Sequence, residues 1–203
     1  MKQFASPGFR VWNLSPPAKV LYSAFCVLTL LGIASSALYY GALVGGGLQG
    51  IRAYYAGEEA APANGDGRDA HPAPGPAMDL PQESRPLVVA MSYRKLLEVT
   101  HFHLFTMPVI LLIVGHLFFA TGIGDRAKLG WISAASASVV LHIATPWLVR
   151  FGGGGLAPLH AFSGGFMGVC MTVVTAYPAY AMWFKRAEER PGGSPPRSGQ
   201  PAP

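Results

Sequence analysis

The chain has 203 residues, of which 51% are hydrophobic and only 12% charged, and its mean hydropathy is +0.33. Such a composition leaves little for a soluble domain and describes an integral membrane protein. The net charge of +5 is scattered over short segments between apolar runs, where it reports topology and needs neither a nucleic-acid partner nor a polybasic lipid site.

Four stretches carry no charged side chain: 20–51, 99–124, 129–149 and 151–184. Crossing the hydrocarbon takes roughly 20 apolar residues, so each stretch suffices for one helix. The expected fold is an all-α integral membrane protein, a bundle of four transmembrane helices near 20–45, 97–121, 129–149 and 158–184. The first run is far longer than the h-region of a signal peptide and is expected to be retained.

Before it lies an N-terminal tail, 1–19, with Lys2, Arg10 and Lys19 and no acid. After it comes a connection at about 52–91, whose part from Glu58 to Pro86 is rich in Ala, Pro, Gly and charge. That composition cannot bury enough apolar surface to order itself, so its His71 is excluded from any site. Ser92 is a candidate N-cap for the second helix, with Tyr93, Arg94, Lys95 and Glu98 forming an interfacial first turn. Pro108 is expected to kink that helix at mid-depth.

The next loop holds Arg126 and Lys128 against Asp125, the connection after the third helix holds Arg150, and the tail 185–203 opens with Lys185 and Arg186. By the positive-inside rule both termini and the 125–128 loop are cytoplasmic, and the other two connections face outward across a bacterial inner membrane. Trp12, Tyr39, Tyr40, Trp131, Trp147 and Trp183 fall near the expected helix ends, as an interfacial aromatic belt requires. Cys26 and Cys170 sit mid-segment and read as small hydrophobes. Ser133 to Ser138 in the third helix and Gly164, Gly165 and Gly168 in the fourth let backbones approach closely in lipid.

Imidazole within a bilayer is costly unless paired or liganded, so the histidines carry the functional signal. The topology gathers His101, His103, His142 and His160 in the outer half. By helical rise His103 lies about 7 Å inward from Glu98 and His142 about 12 Å inward from Arg150, with His101 and His160 shallower. His101 and His103 project about 200° apart and cannot readily serve one small ion. His116, near the cytoplasmic side, reads first as a packing or hydrogen-bonding residue.

Three chemistries suit the outer four: bis-imidazole ligation of a b-type haem, a copper, zinc or iron site, and a quinone or proton site using His, Glu98 and Arg94 or Lys95. A non-redox structural or assembly role is the alternative from another class. Small residues beside the imidazoles, Gly164 and Gly168 after His160 and Ala135 and Ser138 before His142, would clear surface for a flat macrocycle. His103 and His142 are the first candidates for the axial pair, His101 and His160 the second.

The run THFHLFTMPVILLIVGHLFFATG from Thr100 to Gly122, followed by the helices holding His142 and His160, resembles small four-helix bacterial inner-membrane proteins with an HxHLF motif. It is similar in plan to the membrane cytochrome b subunits that anchor respiratory oxidoreductases. The resemblance implies one haem b held by two of these four histidines, electron transfer between the quinone pool and a periplasmic cytochrome or oxidoreductase, and other subunits of a membrane redox complex as partners. The two-haem ligand spacing is incomplete here and no quinone-site pattern is matched. Catalysis is expected to belong to a partner.

Overall fold

The structure is a computed structural model and describes residues 9–57 and 89–185. It is all-helical among these residues, and four helices are long and apolar enough to cross a membrane. These are α1 (Pro16–Val44), α3 (Tyr93–Phe119), α4 (Asp125–Gly152) and α5 (Ala157–Phe184), with a short α2 (Gly47–Ile51) between the first two. His71, the composition-biased stretch around it and the C-terminal tail beyond Lys185 lie outside the described residues.

The helix ends follow local chemistry. Pro16 and Pro17 open α1, where a missing N–H costs nothing, and Gly45 closes it at φ 78°, a left-handed conformation natural to glycine. Ser92 caps α3 as expected, its Oγ accepting from the Lys95 N–H at 3.2 Å. Asp125 sits in the first turn of α4 and Arg150 in its last, each favourable to the helix dipole. Pro158 lies in the first turn of α5.

Four expected boundaries move outward. α1 begins at Pro16 rather than near 20, α3 at Tyr93 rather than 97, and α4 spans Asp125–Gly152 rather than 129–149. Charged residues end an apolar run but need not end a helix, because their long stems reach back to the interface. Lys19, for example, lies over the Trp183 ring at 5.7 Å.

Two segments read as tail and loop are in fact structured. Val11–Asn13 forms a 3-10 turn whose Val11 N–H donates to the Ala120 carbonyl at 3.0 Å and whose side chain is buried against Leu117 and Ala181. At the other end, α2 continues as a wider π-helical turn, Arg52–Ala56. We call residues 45–57 the strap. Ile51 and Tyr55 anchor it in a cluster with Val44, Val149 and Ala157.

α5 is the central helix: α1, α3 and α4 all pack on it, and α3 also packs on α4. The mid-bundle core joins Val114 and Phe118 of α3, Ala135 and Val139 of α4, and Cys170, Met171 and Val174 of α5. Its thinness at Ala135 and Val139 lets α4 and α5 lie close, as the small residues imply. Both cysteines are free and buried. The strap end of the bundle is where the imidazoles lie.

Candidate functional site

On α3, His103, Met107, Val114 and Phe118 follow one another at helical spacing, and the last two are fully buried between helices. His103 therefore continues the inward face and is half-buried. His101, almost opposite on the helix, is exposed and packs its ring on Phe105, 4.9 Å between centroids. His116 is exposed and donates Nδ1–H to the Leu112 carbonyl at 2.8 Å, in keeping with a hydrogen-bonding role.

His142 of α4 and His160 of α5 meet face to face, with ring centroids 5.1 Å apart and planes 14° from parallel. Gly164 lies beside this stack, and a Cβ there would touch His142 Cε1 at 3.4 Å, an ordinary contact distance. His103 lies within electrostatic reach of His142. The structure thus brings three of the four expected histidines to one level. It leaves His101 on the outer surface of α3, away from His160, which is 2% exposed.

Two hydroxyls join the stacked rings. Ser163 Oγ donates to the His160 carbonyl at 2.8 Å, stands 3.0 Å from Thr145 Oγ1 and 3.2 Å from His142 Nδ1. Thr145 Oγ1 lies 2.8 Å from His160 Nδ1. A hydroxyl has one proton, and following it assigns the tautomers. The Ser163 proton is spent on a carbonyl, which can only accept. The Thr145 proton goes the same way, to the His142 carbonyl at 3.3 Å, so neither hydroxyl has one left for a ring. Both imidazoles must donate from Nδ1, and both Nε2 atoms carry a bare lone pair. His103 reaches the same state by a simpler route, its Nδ1–H donating to the Val99 carbonyl at 2.8 Å.

The strap closes this cluster. Tyr55 sets its ring edge-on to His160, 4.9 Å between centroids, and Tyr40 of α1 approaches at 5.8 Å. His160 Nε2 and Tyr40 Oη are both enclosed and have no hydrogen-bond partner among the described residues. Burial is the main cause that holds the Tyr55 hydroxyl protonated well above the ordinary tyrosine range, with the neighbouring phenols adding to it. Arg52 Nε fixes the strap to the Gly154 carbonyl at 3.2 Å, and the Met91 N–H donates to the Tyr54 carbonyl at 3.0 Å.

Glu98 does not join the imidazoles: its carboxylate pairs with Lys95 Nζ at 3.3 Å, with both side chains about half exposed. Among the described residues, no three His, Cys, Asp or Glu side chains gather closely enough to hold a metal ion. A ligand held here would be held by imidazoles in pairs.

Sequence reasoning missed Thr145, Ser163, Tyr55 and the role of Tyr40. A signal existed: His142 and His160 are each followed three residues later by a hydroxyl, in HIAT and HAFS. On antiparallel helices that spacing crosses the two pairs. Residues 45–189 match a family model described as a transmembrane helical domain. Comparison with curated proteins and with solved structures gives no match.

Proposed function

We propose that this chain, which belongs to the Aq_1264_TM family of transmembrane helical domains, is an electron-transfer subunit that holds one b-type haem through His103 and His142. The observation that carries this reading is the tautomer of the inward imidazoles. Each fixes Nδ1–H on an oxygen, His103 on Val99 O and His142 on Ser163 Oγ. This leaves Nε2 free to act as a ligand atom, since an oxygen that accepts from Nδ1–H fixes the tautomer and orientation of a metal-binding imidazole.

Geometry selects among the pairs. His142 and His160 stack with their ring planes nearly parallel, so their ring nitrogens do not converge on a common point and these two would not hold a haem between them. His101 is exposed on the far side of α3 and has no oxygen-fixed Nδ1 among the described hydrogen bonds. His103 and His142 come from different helices and both face inward. A bound haem would supply a one-electron centre whose potential its axial ligands and burial tune. The chain's own part is to fix the ring orientations through Val99 and Ser163 and to exclude water with the strap.

In this reading the strap end faces the periplasm and both termini the cytoplasm of a bacterial inner membrane, following the basic residues. The subunit links the quinone pool to a periplasmic redox partner within a larger complex. The test is a reduced-minus-oxidised absorption spectrum of full-length protein in detergent, with extracted haem counted. A sharp b-type α-band is expected, lost in His103→Ala and in His142→Ala and kept in His101→Ala. Absence of stoichiometric haem under ample haem supply sinks the reading, and elemental analysis then separates a metal-handling role from a structural one.

A further inference from the structure

We infer that His160 Nε2 and Tyr40 Oη are the two halves of a binding site for an aromatic hydroxyl, a hydroquinone or a phenol dissolved in the membrane. The hydrogen-bond circuit leaves Nε2 with a lone pair and no proton, so it can only accept. Tyr40 Oη keeps its own proton and can donate. Both atoms are enclosed, both lack a partner among the described residues, and their rings lie 5.8 Å apart.

Buried polar atoms are nearly always satisfied, and a pair of adjacent exceptions calls for an explanation. The group that satisfies both at once must donate at one oxygen and accept at the same oxygen, which is a hydroxyl. A quinone carbonyl would satisfy Tyr40 and leave His160 opposed lone pair to lone pair. A water has the right chemistry, but the walls favour a ring: Tyr55 stands edge-on to His160 at 4.9 Å and His142 stacks on it at 5.1 Å. Flat aromatic groups gain from such edge and face contacts.

Access is built into the surroundings. α1, which carries Tyr40, packs mainly on α5, and the adjacent Tyr39 is 67% exposed toward lipid. The strap that brings Tyr55 over His160 is flanked by Gly45 at φ 78° and Gly57 at φ 71°. Backbone of that kind moves without side-chain strain. In the closed arrangement described here the two atoms are sealed, so a ligand ring enters as Tyr55 and the strap draw back.

The choice of hydroquinone over a simple phenol rests on the redox reading above, whereas the hydroxyl site itself does not. The test uses the full-length protein in lipid nanodiscs, probed by equilibrium binding of decyl-hydroquinone, the oxidised decyl-quinone and a 4-decylphenol. The hydroxyl-bearing probes are expected to bind at least about tenfold more tightly than the quinone, the scale of one hydrogen bond to a buried group. Tyr40→Phe should lower hydroquinone affinity about tenfold while leaving haem content unchanged. His160→Phe should do the same, and the Tyr40 variant keeps the test valid if that one misfolds.

Equal binding of reduced and oxidised probes overturns the inference, as does indifference to both substitutions, the result a trapped water would give. Haem-free protein that still binds hydroquinone through Tyr40 and His160 sinks the haem assignment alone. Protein with haem and no such binding sinks this one alone.

Discussion

His142 and His160 stack at 5.1 Å between centroids, and each is pinned by a hydroxyl that belongs to the other's helix: Ser163 for His142 and Thr145 for His160. The exchange makes one interlocked unit of α4 and α5. It fixes ring tilt and tautomer together, which neither stacking nor a single hydrogen bond would do.

Thr145→Val keeps the volume and removes the hinge of that circuit. His160 Nδ1–H loses its acceptor in a buried setting, a cost of about 1–2 kcal/mol, and the ring no longer has a reason to prefer one tautomer. Nitrogen-15 shifts of labelled histidine in lipid should show Nδ1 protonated and Nε2 bare for His142 and His160 in the parent chain, and a mixture for His160 in the variant. Thr145→Ser should restore the parent pattern. An Nε2-protonated His160 in the parent chain would refute the proton count.

Gly50→Ala tests the strap. A Cβ at Gly50 would run into the carbonyl oxygen of Val44 and lie 3.2 Å from the Gly45 carbonyl carbon, and backbone cannot yield as a side-chain tip does. α2 must then lift, taking Tyr55 with it. Diethylpyrocarbonate, read by mass spectrometry, should modify His160 slowly in the parent chain and several-fold faster in Gly50→Ala. Equal protection in both would mean that the strap does not seal the site.

Tyr55 gives the strap a pH limit. Its hydroxyl pKa is raised by burial above that of the unfolded chain, so the folded form holds a proton that the unfolded form has lost. Its contribution is complete below about pH 10 and declines as pH rises beyond it, because the unfolded state then binds fewer protons. Ultraviolet titration should find one tyrosinate that appears last, together with loss of the strap, and Tyr55→Phe should remove that step. A Tyr55 ionising with the exposed tyrosines would contradict the packing.

Thr100 ties α3 to α4 by accepting from Trp147 Nε1 at 2.8 Å, beside the edge-on contact of Tyr93 with the same indole at 5.7 Å. Thr100→Val should cost about 0.5–1.5 kcal/mol. A lower Tm in detergent and a shift in tryptophan emission would be the signs. No change in either would show that Tyr93 alone holds the indole.

The helices were legible because hydrocarbon demands long uncharged runs, and nothing else in the chain competes with that demand. Their ends were less so, since Lys19 and Arg94 lie within helices and reach toward the interface. The strap was hidden because GLQGIRAYY carries glycines and an arginine, and only the contacts of Ile51 and Tyr55 reveal it as packed structure. The histidine level followed from rise per residue, which is rigid geometry. Thr145 and Ser163 went unremarked, because composition alone does not set these two hydroxyls apart from the small residues around them, such as Ser138 and Gly164. Only the crossing of α4 over α5 shows which hydroxyl meets which ring.

α1 leans on α5 and is otherwise bathed in lipid, with 6% of its most apolar window buried. Since α5 is synthesised after α1, α3 and α4, α1 must wait in the bilayer, without its main docking partner, while α3 and α4 are inserted. Its composition suits that wait. Thr29 and Ser35 return their hydroxyls to the Phe25 and Gly32 carbonyls of the same helix, so neither needs a neighbour while it waits. Tyr40 is the exception: among the described residues its oxygen has no partner, and the His160 ring beside it arrives only with α5.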